Sequence, residues 1–306
     1  MTCLFVALTS ALLYSVAKCI PLLDKCQMVD MSWPFEQGKT IYWPTATKFQ
    51  LKEVFDGKTE KGYYYLAYEI SGNEHGGTHL DAPVHFGERK LTTDQIPLTS
   101  LMGPACVVDI SGQCAKDRDY RLTVDDLKRW ESTHGSISNC ILLIKTGWEK
   151  FYSDPGKYLG HATDASKLHF PGIHPEAAKW IANERKVRAI GLDTASLDYG
   201  QAQYFKAHQY LFKENIPGLE NVMNLDQLPP TGATVIALPM KIKGGSGGPT
   251  RVIGFINCHT NGATKLINTK FSLKIPSSGS FHSRQQPEKG TKMAILKRQW
   301  DWAAVT

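Results

Sequence analysis

Short apolar runs, divided by polar and Gly/Pro-bearing stretches, predict most of the elements along this chain. Tyr63 to Ile70 is aromatic-rich and β-prone, and Ala105 to Ile110, Cys140 to Lys145 and Val187 to Leu192 read as buried strands. Thr234 to Lys241 and Arg251 to Ile256 predict two more strands, separated by the glycine-rich and therefore flexible stretch Gly244 to Gly248. Leu122 to Glu131 predicts a helix with Thr123 at its N-cap and Asp126 three residues on in a capping box. His174-Pro175-Glu176 starts another, running to about Arg185, because proline suits a first turn and glutamate suits the positive end of the helix. Ala202 to Glu214 is a third. Between Phe151 and Ile173 the pattern is irregular, and His161 and His169 read as surface or packing residues. Strands and helices alternate irregularly, which predicts an α/β fold.

Polar chemistry concentrates in one stretch, His75-Gly-Gly-Thr-His79-Leu-Asp81-Ala-Pro-Val-His85. Imidazole and carboxylate are the ligands that Zn²⁺ and Mn²⁺ prefer. All four groups occupy odd positions and would share one face of an extended chain, but a straight strand would spread them over roughly 30 Å. The chain must bend, and Gly76, Gly77 and Pro83 are the residues that bend it. His79 and Asp81 then share one side of a short strand, with His75 folded back. The spacing of His75 and His79 would also suit one helical face, but two glycines and a nearby proline argue against a helix. The plain alternative, a polar loop whose histidines bond only to backbone, is outweighed by three histidines and an aspartate in one bent segment.

This stretch resembles the signature H-x-G-T-H-x-D-x-P-x-H of the cyclase family of metal-dependent hydrolases, which includes bacterial-type kynurenine formamidases and isatin hydrolases. His75, Gly77, Thr78, His79, Asp81, Pro83 and His85 all match it. The resemblance extends over roughly residues 29–257 and implies a single α/β domain built on a mixed β-sheet with flanking helices. In the formamidases the remaining metal ligands are a helix histidine and a glutamate twelve residues later, which here are His208 and Glu220. The implied site holds two divalent ions, Zn²⁺ or else Mn²⁺: His75, His79 and Asp81 on one, His208 on the other, Asp81 and Glu220 bridging. His85 matches the family's catalytic histidine, expected to take a proton from water and deliver it to the departing nitrogen. A Trp-Pro some thirty residues before the first metal histidine lines the substrate pocket in that family. Trp43 fits this place better than Trp33, with packing beneath the loop as its alternative. Asp193-Thr-Ala-Ser-Leu-Asp198 looks like the family's segment beside the active site, although ordinary turn chemistry explains the same residues.

The implied activity is hydrolysis of a small aromatic amide, N-formyl-L-kynurenine first, giving kynurenine and formate in tryptophan catabolism. Hydrolysis of another cyclic or aryl amide such as isatin, or of a lactone, is the alternative. A metal-binding protein without chemistry is the rival from another class, and the presence of His85 argues against it. A G-x-S-x-G pattern is met formally by Gly244 to Gly248, but it lies in the glycine-rich stretch between two strands and not at a strand-to-helix turn, and no P-loop or dinucleotide signature occurs.

Composition changes the picture in three places. With 306 residues, 42% of them hydrophobic, the chain can bury a sizeable core. Its net charge of +6 is not gathered into a Lys/Arg block with interleaved aromatics, so no nucleic-acid partner is expected. The uncharged run Leu4 to Val16 is too short to span a membrane comfortably, and Ser15-Val16-Ala17 offers a signal-peptidase site. A cleaved leader over residues 1–17, a secreted product and no membrane anchor are therefore expected, with a homodimer as the assembly. Removing Cys3 leaves six cysteines, an even number that suits an oxidising compartment, though no N-x-[ST] sequon is present. The catalytic domain is expected over 26–258, followed by a polar, basic tail over 259–306.

Overall fold

The computed structural model describes residues 26–258; the expected leader and the tail lie outside the described residues. Twelve strands occur in the order β1 (Gln27–Asp30), β2 (Gln50–Lys58), β3 (Tyr64–Ser71), β4 (His79–Asp81), β5 (Met102–Asp109), β6 (Arg121–Leu122), β7 (Ile141–Lys145), β8 (Gly172–Ile173), β9 (Ala189–Leu192), β10 (Gly218–Glu220), β11 (Thr234–Pro239) and β12 (Gly247–Ile256). Three longer helices are α1 (Val124–His134), α2 (Pro175–Glu184) and α3 (Lys206–Lys213).

Eight strands form one mixed sheet in the order β1-β12-β11-β5-β7-β9-β10-β4, and β4 pairs with β12 as well, so the sheet closes on itself. The pairs β5/β7, β7/β9 and β9/β10 are parallel, the others antiparallel. The mixed α/β reading holds; the closure was not foreseen. Parallel strands buried on both faces explain the unbroken apolar runs. Cys106, Val108, Leu142, Ile144, Ile190 and Leu192 face one core, shared with Leu127, Ile181 and Phe212 of the three helices. The alternate residues Ala105, Val107, Ile141, Leu143 and Ala189 face the other, inside the closed sheet. The two-residue period of a strand divides one run between two cores.

Helix signals in the sequence translated closely. Thr123 and Asp126 cap α1 reciprocally, and Pro175 opens α2 with His174 as its N-cap. The third helix is shorter than expected because Phe205 adopts a left-handed backbone (φ 46°), so the helix begins at Lys206 rather than Ala202. The stretch Gly244 to Gly248 also needs correction as a flexible separator. Gly247 and Gly248 open β12 and pair with Asp81 and Leu80. A Cβ on Gly247 would sit 2.5 Å from the His75 ring, so only glycine lets this strand pass the site.

A disulfide joins Cys26, just before β1, to Cys258, just after β12, while Cys106, Cys114 and Cys140 are buried free thiols. The bridge closes a loop of 232 residues in sequence separation, so chain entropy allows it to stabilise the fold by up to about 5 kcal/mol. Cys258→Ser should lower the urea midpoint measurably and raise the m-value, because the unfolded chain without its cross-link exposes more surface; an unaltered midpoint would mean that the paired strands alone hold these ends.

Candidate metal centre

Glycine geometry shapes the eleven-residue stretch. Gly77 lies at φ 56°, and a Cβ on Gly76 would fall 2.0 Å from the ring of Tyr42, whose backbone forms an antiparallel bridge with Gly76. This bend carries His75 back until its Nδ1 is 2.6 Å from Asp81 Oδ1. His79 and Asp81, the two ends of β4, point to the same side, with His79 Nε2 3.2 Å from Asp81 Oδ1. The bent, extended reading is the one the chain adopts.

The other half of the site comes from far along the chain. Strand β10 runs antiparallel to β4 and sets Glu220 opposite His79, its Oε2 3.4 Å from Nε2. Helix α3 supplies His208, whose Nε2 is 3.2 Å from both Asp81 Oδ2 and Glu220 Oε1. Two overlapping donor groups result, His75/His79/Asp81 and Asp81/His208/Glu220, the ligand atoms of each within 4.8 Å of one another. All five residues expected as ligands therefore converge, with Asp81 common to both groups.

The outer contacts fit a metal centre. His79 Nδ1 donates to the Gly77 carbonyl at 3.0 Å, and His208 Nδ1 meets Asp198 Oδ2 at 2.6 Å. Each leaves Nε2, the nitrogen facing the carboxylates, with its lone pair available, the usual arrangement around histidine-bound metals. Asp198 also accepts from the backbone N–H groups of Ala207 and His208, anchoring the first turn of α3. Sequence reasoning had left Asp198 aside; its signal was its place after a buried strand. Asp193, in the same segment, has a structural task and accepts from Thr146 and Trp148. Ser246 was missed as well: its Oγ lies 2.8 Å from His75 Nε2 and is hydrogen-bonded to Glu74. His169, read as a surface or packing residue, meets Asp119 at 2.7 Å and is not part of this cluster.

Burial sets the electrostatics. His79, Asp81, His208 and Glu220 are all buried. Burial alone would raise the Asp81 carboxyl, but hydrogen bonds from His208, His75 and His79 hold it well below the ordinary range. Burial and the neighbouring Asp81 charge push Glu220 up. For His79 burial acts downward, yet Asp81 and Glu220 outweigh it and bring the imidazole to about 9 without a metal. A divalent ion must therefore displace a proton from His79, and another from His208, which burial pushes down but Asp198, Asp81 and Glu220 push up more strongly, so its affinity should rise with pH through neutrality. Calorimetric titration in buffers of differing ionisation enthalpy would show the released protons, and a pH-independent affinity would contradict this account. His85 is different. Burial and the surrounding imidazoles, opposed by Asp81, bring it down to about 4.

His85 is held by ring stacking on His75 (centroids 3.8 Å apart), in a 3₁₀ turn opened by Pro83. It lines a cleft of about 270 Å³ together with the cluster, Trp43, Phe86 and Phe205. Trp43 stands edge-on to Phe205 at 6.0 Å, and Phe205 lies 5.3 Å from Phe86. These rings border the metal cluster, with Phe86 4.7 Å and Phe205 6.2 Å from the His208 ring. Trp33 stacks on Tyr152 at 4.2 Å, away from the cleft. No Lys or Arg is among the residues lining the cleft.

Residues 29–199 match the family model named Cyclase. The chain is 33% identical over 246 residues to an isatin hydrolase of Roseibium aggregatum, covering 78% of this chain and 92% of that protein. It is 28% identical to a kynurenine formamidase of Bacillus thuringiensis, over 74% and 96% of the two. The structure of isatin hydrolase A from Ralstonia solanacearum superposes with a TM-score of 0.70 at 31% identity, over 81% of this chain and 97% of that one.

Proposed function

This chain belongs to the cyclase family of metal-dependent hydrolases, and from that premise we propose that it opens a small, uncharged aryl or cyclic amide at its acyl C–N bond, an isatin-type lactam first. The observation that carries this reading is the cleft itself: a carboxylate–imidazole cluster bordered by the aromatic rings of Trp43, Phe86 and Phe205, with no Lys or Arg among the lining residues. N-Formyl-L-kynurenine carries an α-carboxylate that these walls leave unpaired. It remains the second reading, supported by the second donor group, Asp81/His208/Glu220, and by the formamidase relatives.

When bound, one or two divalent ions in this site supply Lewis acidity, polarising the amide carbonyl and making water a better nucleophile at neutral pH. His75, His79 and Asp81 would hold one ion and Asp81, His208 and Glu220 the other, with Asp198 keeping His208 oriented. Trp43, Phe86 and Phe205 seat the aryl ring and exclude water beside the carbonyl. His85, neutral at physiological pH, accepts the proton of the attacking water. It returns that proton to the nitrogen as the C–N bond breaks, because an amide anion is a poor leaving group. The Cys26–Cys258 disulfide supports an oxidising, secretory location.

The deciding assay measures turnover of isatin and of N-formyl-L-kynurenine, with and without chelator. Chelator-sensitive opening of isatin with a higher kcat/KM is the expected result. A higher kcat/KM for the formyl amide would install the second reading, and no turnover of any aryl or cyclic amide by the metal-loaded protein would refute both. Trp43→Ala should raise KM for aryl substrates about tenfold while changing kcat little; an unchanged KM would return Trp43 to a packing role.

A further inference from the structure

We infer that a cavity at the carboxyl ends of β5 and β7 is a second binding site, for a small anion carried on an aromatic ring. The inference stands independently of the hydrolase reading. The cavity has a volume of about 500 Å³ and shares no lining residue with the catalytic cleft. Its walls come from the segments that leave two neighbouring parallel strands. Cys114 lies beyond the end of β5, and Thr146 and Trp148 lie beyond the end of β7. Parallel sheets place ligand sites at this edge, where loops carry side chains on a fixed frame. The metal cluster sits at the same edge, since Glu220 ends β10, which runs parallel to β9 and so to β7.

Charge separates the two cavities. Lys116, Arg118, Lys150 and Lys157 line the second one, and no Asp or Glu does. The catalytic cleft is the reverse, with Asp81 and Glu220 and no Lys or Arg. Lys157 pairs with Asp154 at 3.2 Å, but Lys116, Arg118 and Lys150 form no ion pair among the described residues. Two carboxylates nearby are already engaged, Asp109 with Lys145 at 2.8 Å and Asp119 with His169 at 2.7 Å. Asp117 lies between Lys116 and Arg118 in sequence and does not line the cavity. Three cations therefore face one space without a paired counter-charge, and an anion bound among them relieves their mutual repulsion.

Much of the remaining wall is aromatic and held in place. Arg118 Cζ lies 5.9 Å from the centre of the Trp148 ring, and the Lys150 ammonium 4.9 Å from that of Phe151. Each cation thus rests beside a ring that lines the cavity. Arg118 also donates to the His169 carbonyl at 3.0 Å. Trp148 is fixed from behind: its indole donates to the Tyr158 carbonyl at 2.7 Å and its backbone N–H to Asp193 at 2.8 Å. Groups positioned before a ligand arrives lose less entropy when it binds. A guanidinium receives a carboxylate through two parallel hydrogen bonds, lysines add point charge, and rings accept a flat apolar body. An inorganic anion would leave the rings unused, and a neutral aromatic would leave the cations unused. Aryl carboxylates, of the kind that opening a lactam releases, use both.

The test is calorimetric titration of phthalate, a dianion on one ring, into the metal-loaded, disulfide-bonded chain. Phthalate should bind once per chain with Kd below about 1 mM, and added salt should weaken it. In Arg118→Gln/Lys150→Gln, verified as folded by circular dichroism, binding should be at least tenfold weaker. Should that variant fail to fold, Lys116→Gln/Lys150→Gln serves in its place with the same expected loss. His79→Ala, in the metal cluster, should leave phthalate binding within about a factor of two of wild type. Undiminished binding in the folded cavity variants would overturn the inference. Binding lost in His79→Ala would overturn it by placing phthalate on the metal. Inorganic phosphate or neutral benzamide binding as tightly as phthalate would also overturn it, since the ring or the charge would then be superfluous. So would the absence of binding at about 10 mM phthalate.

Discussion

Asp81→Ala should yield a folded protein that retains less than a tenth of the wild-type metal and turns over at least a thousandfold more slowly. Asp81 belongs to both donor groups, one oxygen towards His75 and His79 and the other towards His208. Removing it takes a carboxylate from each group at once and leaves only Glu220 to balance a divalent charge in a buried site. No other single substitution reaches both groups so directly. The fold should survive, because β4 keeps its backbone pairing to β10 and β12. Elemental analysis and circular dichroism on the same preparation read both quantities. Wild-type metal content in the folded variant would remove Asp81 from the ligand set.

His85→Ala should do the opposite: keep the metal and lose the chemistry. The ring stacks on His75 without a place in either donor group, so metal content should stay within about a factor of two of wild type. General acid–base catalysis by one positioned group is worth about 10²–10⁴-fold, and kcat should fall by that much with KM changed far less. A base must be neutral to accept a proton, so activity is lost as pH falls through its pKa. Burial and the neighbouring imidazoles place His85 at about 4, which predicts a plateau reaching below neutrality for as long as the metal stays bound. Wild-type kcat in the alanine variant would refute the proton-transfer role. Loss of metal would instead move His85 among the ligands.

The sequence by itself determined what short-range geometry determines. His75, His79 and Asp81 lie within seven residues, and Gly76 and Gly77 leave the chain free to fold back between them, so their convergence was readable from spacing and ligand chemistry. The α1 and α2 caps were readable for the same reason, since each depends on side chains within three residues. The pairing of His208 with Glu220 came only through a family resemblance, because twelve residues that include a turn do not fix a distance.

Tertiary structure decided the rest. Closure of the sheet through β4 and β12 joins residues more than 160 positions apart. That closure brings Ser246 to His75 and makes Gly247 a residue beside the site rather than part of a loose connection. The choice of Asp198 over Asp193 as the partner of His208 depends on where α3 starts, which the backbone of Phe205 sets. Of the β2–β3 ribbon the sequence shows only Tyr63 to Ile70, an aromatic-rich, β-prone run leading to the metal stretch, and β2 goes unread. Only the fold shows that its apolar side chains face away from both cores, because what covers a strand is settled by the distant chain packed against it and not by its own pattern.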